Sequence, residues 1–354
     1  MRAWVEINLK NLVENLNILK SLTQGSQIIP VIKADAYGMG ALRIVQELIR
    51  QGIEIFAVAT MEEAVELREK GIEKDILVLG GVYYEDLELA HKLNIQITVN
   101  SQDQIEKIRE KNLPLLVQMA VETGMGRVGF LPQEALKIIE DYRESETPKI
   151  VGVYSHFSVS DEDSQDSREY TLNQIEKFRD FLGTDLRYIH MHNSGGIINY
   201  SEDFSGTHVR PGIALYGILG DRKIEGMHNV FSLKTRILFL KTLKERMDIS
   251  YGRTATGEAG DMIATLSIGY ADGFRKELSN RGHVTILGEK CPIIGKICMD
   301  MCMVKIPLGI RDKVKVGMEV LCIGEDIVEK AGMIGCSTYE ILTGIGKRLP
   351  RVYI

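Results

Sequence analysis

Short apolar runs alternate with charged, helix-patterned stretches through the first two-thirds of this 354-residue chain. The runs at 28–33, 55–59, 76–79, 95–99, 115–120, 150–156, 188–192 and 208–213 are rich in β-branched residues and short enough to be buried strands. Between them, 61–70, 102–111, 134–143 and 165–182 carry helical spacing. In 61–70, Met61, Ala64, Val65 and Leu67 share one face, with charge opposite. Eight strands alternating with helices predict a (β/α)8 TIM-type barrel rather than an open sheet. Beyond about residue 225 the texture changes. Runs at 233–240, 262–267, 283–287, 291–294, 301–305 and 319–323, broken by turn glycines, predict a small all-β domain with a more helical end at 338–348. The expected division is a barrel over 1–225 and a mainly β domain over 226–354.

Composition narrows the function. The hydrophobic share of 44% and charged share of 26% are those of an ordinary globular protein. A net charge of -6 argues against nucleic acid as a partner. No apolar run approaches the roughly 18 residues of a membrane span. The opening residues Met1 to Asn8 lack an apolar signal region, so a cytoplasmic location is expected. The five cysteines include no Cys-x-x-Cys pair. Cys298 and Cys302, four apart in a β-like run, lack the further ligands zinc needs, so reduced and mostly buried thiols are expected, and no metal. His190 and His192 share one face of a strand without a carboxylate nearby in sequence, which predicts core or supporting roles.

The chemistry-bearing residues follow the predicted strand ends, where barrel enzymes build their sites. Lys33 closes the first run, and Tyr37-Gly38 follows four residues later. A lone lysine there would ordinarily snorkel to solvent; burial would instead lower its pKa, as Schiff-base chemistry requires. Thr123-Gly124-Met125-Gly126-Arg127 follows strand five, and Arg127 is suited to a bidentate pair with a carboxylate. His156 ends strand six, where it could stack on a flat ring. Asn193 and Ser194 follow strand seven, and Arg210 lies in strand eight ahead of Gly212-Ile213. The Ser194 hydroxyl and the glycine-rich backbone offer donors to an anion, which barrels often bind after strands seven and eight. In the second domain, Tyr251 and Tyr270 each neighbour a glycine, Cys298-Met299-Asp300 reads as alternating along a strand, and Tyr339 lies near the end.

The segment Lys33-Ala34-Asp35-Ala36-Tyr37-Gly38 resembles the cofactor-lysine motif of the alanine racemases, a pyridoxal-phosphate family. The segments around Arg127, His156, Asn193, Arg210, Tyr251, Tyr270, Asp300 and Tyr339 resemble that family in the same order, over nearly the whole chain. The resemblance implies pyridoxal 5'-phosphate as cofactor, with Lys33 carrying it and acting as one of two catalytic bases. Tyr251 matches the opposing base, delivered by the second subunit of a head-to-tail homodimer with shared sites. Arg210 matches the arginine facing the pyridine nitrogen, and His156 the residue packed beside the ring. Tyr37, Ser194, Gly212, Ile213 and Tyr339 match phosphate-binding positions, and Asn193 a nearby cofactor contact. Arg127 and Met299 match substrate-carboxylate contacts; Tyr270 matches a tyrosine lining the substrate entrance, and Asp300 shares the Met299 motif. The resemblance also allows residues 1–10 to associate with the C-terminal domain.

Three positions depart from the family pattern. Met39 stands where histidine is common after Tyr-Gly. Ala120 stands where some members have a carbamate-modified lysine supporting the arginine matched by Arg127, so that support must come from elsewhere. Lys296 replaces an arginine before Cys-Met-Asp. The implied activity is interconversion of L- and D-alanine, supplying D-amino acid for peptidoglycan. The alternatives are a broader or basic amino-acid racemase (serine, lysine, ornithine), a fold-related decarboxylase, and a non-enzymatic cofactor carrier. Asp161, Glu162 and Asp163 could receive a cationic side chain, against the simpler reading of an acidic first helical turn.

Overall fold

The computed structural model describes all residues except Asp221 and Lys223. The early apolar runs pair in parallel. Ile55–Val58, Asp75–Val78, Gln96–Val99, Leu116–Ala120, Lys149–Tyr154 and Tyr188–His190 form one six-stranded sheet in sequence order. Gln27–Ile28 and His208–Val209 form a further parallel pair. Hydrogen bonds join that pair to both edges of the sheet. Ala57 N–H donates to Pro30 O (2.9 Å) and Ile32 N–H to Ala57 O (2.8 Å), while Arg210 N–H donates to His192 O (2.8 Å). Eight strands thus close into the expected barrel. Its first and last strands are shorter than their apolar runs, because Pro30 and Pro211 supply no N–H to extend a ladder. Lys33 and Arg210 consequently lie beyond the regular strands rather than within them.

The helices between these strands carry the expected faces. In Met61–Glu69, Met61, Ala64 and Leu67 are buried, and Val65 is half-buried. Pro132, at the first helical position where its missing N–H costs nothing, starts Pro132–Asp141 two residues early. Gln165–Phe178 begins after the cap Ser164, whose Oγ accepts from Ser167 N–H (3.0 Å). Asp161, Glu162 and Asp163 therefore precede the cap and do not form the first turn of that helix. The barrel interior packs Ile29, Val31, Ile55, Ala57, Leu77 and Tyr188 together. Gln96, Thr98, Gln118, Tyr154 and His190 are also buried.

By internal contact the chain divides into two compact units. One comprises Val13–Ala36 and Gly40–Leu215; the other comprises Met1–Leu12, Tyr37–Met39 and Tyr216–Ile354. The second is built on Phe231–Thr242, which pairs with Ala3–Ile7, Met262–Leu266 and Glu319–Ile323. Ala3–Ile7 also pairs in parallel with Arg351–Tyr353. The hydrophobic pattern missed both of these terminal strands, and a short hairpin of Met247–Ile249 with Ala255–Gly257. Cys302–Ile306 is a strand, but 298–300 lies in a bend before it, so Cys298, Met299 and Asp300 do not alternate along a strand as expected. The late stretch contains the helix Thr338–Thr343. All five cysteines are free thiols; Cys291, Cys302 and Cys322 are buried.

Three buried barrel histidines couple stability to pH. Burial lowers each: His192 and His208 to about 4, and His190 well below its ordinary value, where the Arg210 cation adds to the effect. In the unfolded chain they titrate near 6.5, so between that value and 4 the unfolded state binds more protons. Stability is then fully present above about pH 6.5 and falls on acidification, by up to about 1.4 kcal/mol per pH unit for each histidine. Urea unfolding followed at pH 7, 6 and 5 should show a midpoint that falls steadily, before most carboxylates titrate.

Candidate active site

Lys33 opens a turn that L-residues seldom make. Ala34, Asp35, Ala36 and Tyr37 have φ values of 53, 54, 53 and 56°, a run of left-handed backbone. Left-handed helical conformation costs roughly 1–2 kcal/mol per residue, so the surroundings must hold it. Glu63 does so directly: its carboxylate accepts from Ala34 N–H (2.6 Å) and Ala59 N–H (2.7 Å). Asp35 accepts from Gly40 N–H through its carbonyl (2.9 Å) and from Ala41 N–H through its side chain (2.7 Å). Backbone strain of this kind concentrates at functional sites. The Lys33 side chain stays accessible. Its pKa is nevertheless lowered, first by loss of water around the amine and then by the Arg127 and Arg210 cations, with Glu63 opposing them.

Arg210 is 3% exposed, and its guanidinium is fixed on several sides. Nη1 donates to His190 Nδ1 (2.5 Å) and His190 O (3.0 Å). Nη2 donates to Ser155 O (2.6 Å), Met191 O (3.2 Å) and His156 Nδ1 (3.3 Å). The guanidinium also lies over the Tyr154 ring, 5.1 Å from its centroid, and that ring stacks on His190. Burial brings the Arg210 pKa down to about 10, so it remains a cation at neutral pH. Burial, then Arg210, Arg127 and Lys33, holds His156 at about 3. His190 must also be neutral: its Nδ1 accepts from Arg210, leaving Nε2–H to donate to Gln118 Oε1 (2.7 Å). Gln118 in turn donates to Gln96 Oε1 (2.8 Å).

The Ser194 Oγ accepts from Gly212 N–H and Ala214 N–H, both at 3.1 Å. Its own proton is therefore available to an anion, in the turn that holds Ile213. Asn193 caps the following helix by accepting from Gly196 N–H (2.9 Å), and Ser160 Oγ donates to the same oxygen (2.8 Å). Arg127 is exposed in a loop gathered by one carboxylate. Glu122 accepts from Gly124 (2.5 Å), Gly126 (2.7 Å) and Arg127 (3.2 Å) N–H groups. Burial pushes the Glu122 pKa up, but these bonds outweigh it and keep the carboxyl below its ordinary value. With Ala120 small and buried, the Arg127 loop is organised through its backbone.

In the other unit, the Tyr37 ring lies against Tyr216 (5.5 Å between centroids) and Tyr339 (5.8 Å). The loop is anchored where Arg351 Nε donates to Gly38 O (3.0 Å) and Tyr353 OH to Met39 O (3.0 Å). Position 39 thus contributes its carbonyl, while the methionine side chain is buried. Tyr270 N–H donates to Cys298 O and Ala271 N–H to Met299 O (3.0 Å each), binding the Tyr270 turn to the Met299 bend. Asp300 pairs with Arg348 (2.6 Å), which also reaches buried Asp272 (2.6 Å). Tyr251 is 72% exposed. The sequence-predicted residues therefore fall into two groups. Lys33, Arg127, His156, Asn193, Ser194, Arg210, Gly212 and Ile213 are carried by the barrel unit, and Tyr37, Tyr251, Tyr270, Met299, Asp300 and Tyr339 by the other. Sequence reasoning missed Glu63, Gln118, Glu122 and Tyr154, each of which acts through a contact that no local pattern announces.

A barrel that carries a lysine of lowered pKa, a buried arginine and a serine in a glycine turn offers the groups that a carbonyl cofactor with a phosphate tail requires. The donor set fits pyridoxal phosphate: an amine for the aldehyde, a cation beside a ring, and hydroxyl and amide donors for the phosphate. Known proteins agree. The family model for the alanine racemase N-terminal domain matches residues 7–220, and that for the C-terminal domain matches 230–353. An alanine racemase of Fusobacterium nucleatum is 39% identical over the full length of both chains. Among solved structures, an alanine racemase of Clostridium difficile 630 superposes with a TM-score of 0.89 at 35% identity, covering 100% of this chain and 96% of that one. One from Bartonella henselae, described with covalently bound pyridoxal phosphate, superposes at 0.90 and 30% identity over all of both chains. The chain belongs to the alanine racemase family.

A lysine of lowered pKa holds more free amine than its surface counterparts. Brief acylation of cofactor-free protein near pH 8 should label Lys33 ahead of the other lysines, as read by peptide mass spectrometry, and added pyridoxal phosphate should protect it.

Proposed function

We propose that the protein interconverts L- and D-alanine with pyridoxal phosphate bound at the mouth of the barrel. The observation that carries this reading is the cationic mouth of an acidic protein. Lys33, Arg127 and Arg210 interact electrostatically there, although the net charge of the chain is -6. Such a site attracts an anionic cofactor and an amino-acid carboxylate. When bound, the cofactor draws electrons from the substrate Cα and acidifies its C–H bond. Lys33 would hold the cofactor and, as the free amine, exchange a proton with one face of Cα. Tyr251 of the partner subunit would exchange a proton with the opposite face. Two bases on opposite faces suit two enantiomers.

The other residues bind and orient. Ser194, Gly212, Ile213, Tyr37 and Tyr339 would hold the phosphate, and Asn193 fixes the turn beside it. His156, neutral at working pH, would pack against the ring without adding charge. Arg210 would face the ring nitrogen and, remaining charged, would not surrender its proton there. Arg127 and Met299 would receive the substrate carboxylate, and Tyr270 with Asp300 would line the approach. A homodimer with shared sites fits the exposure of Tyr251, Tyr270 and Met299. Among the described residues no helix is long and apolar enough to cross a membrane. The activity would serve the supply of D-alanine for peptidoglycan in the cytoplasm.

Incubation of the purified protein and cofactor with L-alanine, L-serine and L-lysine, followed by separation of enantiomers, should give D-alanine fastest. Release of carbon dioxide, or no turnover, would contradict the reading. Borohydride should trap a cofactor adduct on Lys33 alone, and Lys33→Ala should lose both adduct and activity.

The shared site has its own test. Lys33→Ala and Tyr251→Phe proteins, each nearly inactive, should regain activity when mixed under subunit exchange. With free exchange, about a quarter of sites become intact in a symmetric dimer. Proven exchange by native mass spectrometry without recovery would place each site within one chain.

A further inference from the structure

The backbone beneath Tyr251 follows a path that few residues tolerate. Ser250 has φ 67° and ψ -177°, a region essentially reserved for glycine. Gly252 (φ 70°) and Arg253 (φ 50°) are left-handed as well. Among the described residues no hydrogen bond or ring contact holds the exposed Tyr251 phenol, so within its own chain the turn that carries it is what aims the phenol. Strained backbone of this kind persists only where the surroundings over-determine it.

We propose that Ser250 and Asn280 are positioning residues that aim Tyr251, an inference that rests on reading Tyr251 as one of the two bases. Ser250 Oγ donates to Lys296 O (2.5 Å). Asn280 Oδ1 accepts from Gly295 N–H (2.6 Å), and its Nδ2 donates to Thr254 Oγ1 (3.1 Å). The turn is thus tied on both sides of Tyr251 to the segment at 295–296, directly at 250 and through Asn280 at 254. Ser279 Oγ steadies that segment further by accepting from Ile297 N–H (2.9 Å). Backbone contact requires the glycine at 295, whereas at 252 the left-handed φ favours it and the nearest atom is a movable lysine amine. A Cβ at Gly295 would lie 2.6 Å from Ile249 O, and one at Gly252 would lie 2.9 Å from Lys296 Nζ. Asn280 is itself left-handed (φ 58°), a conformation asparagine tolerates better than most residues. Each tie comes from a side chain that does not touch the phenol, so the effect on chemistry passes through the aim of Tyr251.

The test compares Ser250→Ala, Asn280→Ala and Thr254→Val with Tyr251→Phe. Exchange of the α-proton with deuterated solvent is measured separately from L- and D-alanine, and amide exchange is measured on the cofactor-free proteins. Small misplacement of a catalytic group costs on the order of 10–100-fold. The tie variants should lose that much exchange from the enantiomer that Tyr251→Phe impairs, and lose little from the other. Their kcat should fall more than KM changes, and amides at 250–254 should exchange faster while the barrel strands do not. Thr254 is exposed and valine has nearly its shape, so Thr254→Val removes one tie even if Asn280→Ala fails to fold. Equal loss from both enantiomers, or no loss, overturns the proposal while leaving Tyr251 as a base. If Tyr251→Phe itself impairs both enantiomers equally, the base reading falls and the proposal falls with it.

Discussion

A guanidinium buried inside a barrel is the constraint to which the rest of the site answers. An unpaired buried charge is very costly, so Arg210 requires acceptors on every accessible side. Carbonyls of Ser155, His190 and Met191 provide three of them, at the ends of adjacent strands. The remaining two are imidazole nitrogens, which accept only when the rings are neutral. The His190 ring therefore carries its proton on Nε2, Gln118 must present its oxygen to that proton, and its amide then reaches Gln96. One cation thus fixes a tautomer and the orientation of an amide several residues away, through the barrel interior.

The same cation shapes the chemistry at the mouth. Loss of water and the Arg127 and Arg210 charges make Lys33 a better amine than a surface lysine. Burial and the same charges keep His156 neutral. Glu63 tempers the effect and also braces the left-handed turn that starts at Ala34, so one carboxylate contributes both to the electrostatics of Lys33 and to its placement. In the other unit the comparable brace is a set of neutral hydrogen bonds around Tyr251.

Much of this was legible in the sequence, and the parts that were not share a physical reason. The barrel emerged from the spacing of apolar runs, and Lys33, His156, Ser194 and Arg210 stood out because they track strand ends. The conjunction of motifs identified the family. His190 was correctly placed in a supporting role. Gln118, Glu63 and Glu122 were not found, because their roles depend on hydrogen bonds whose partners are set by three-dimensional approach. The left-handed run after Lys33 has no glycine until Gly38 to announce it. The terminal strands Ala3–Ile7 and Arg351–Tyr353 are short, and their pairing spans nearly the whole chain, which periodicity does not reveal. The Cys298–Asp300 bend looked like a strand because its alternation continues into Cys302–Ile306.

The central claim is that a buried Arg210 cation is satisfied by neutral histidines. The most direct measurement is nitrogen-15 NMR of histidine-labelled protein, with His190 assigned by substitution. The account predicts that His190 carries its proton on Nε2, with an unprotonated Nδ1, and does not titrate between pH 5 and 8. A His190 that protonates in that range, or carries its proton on Nδ1, would contradict it.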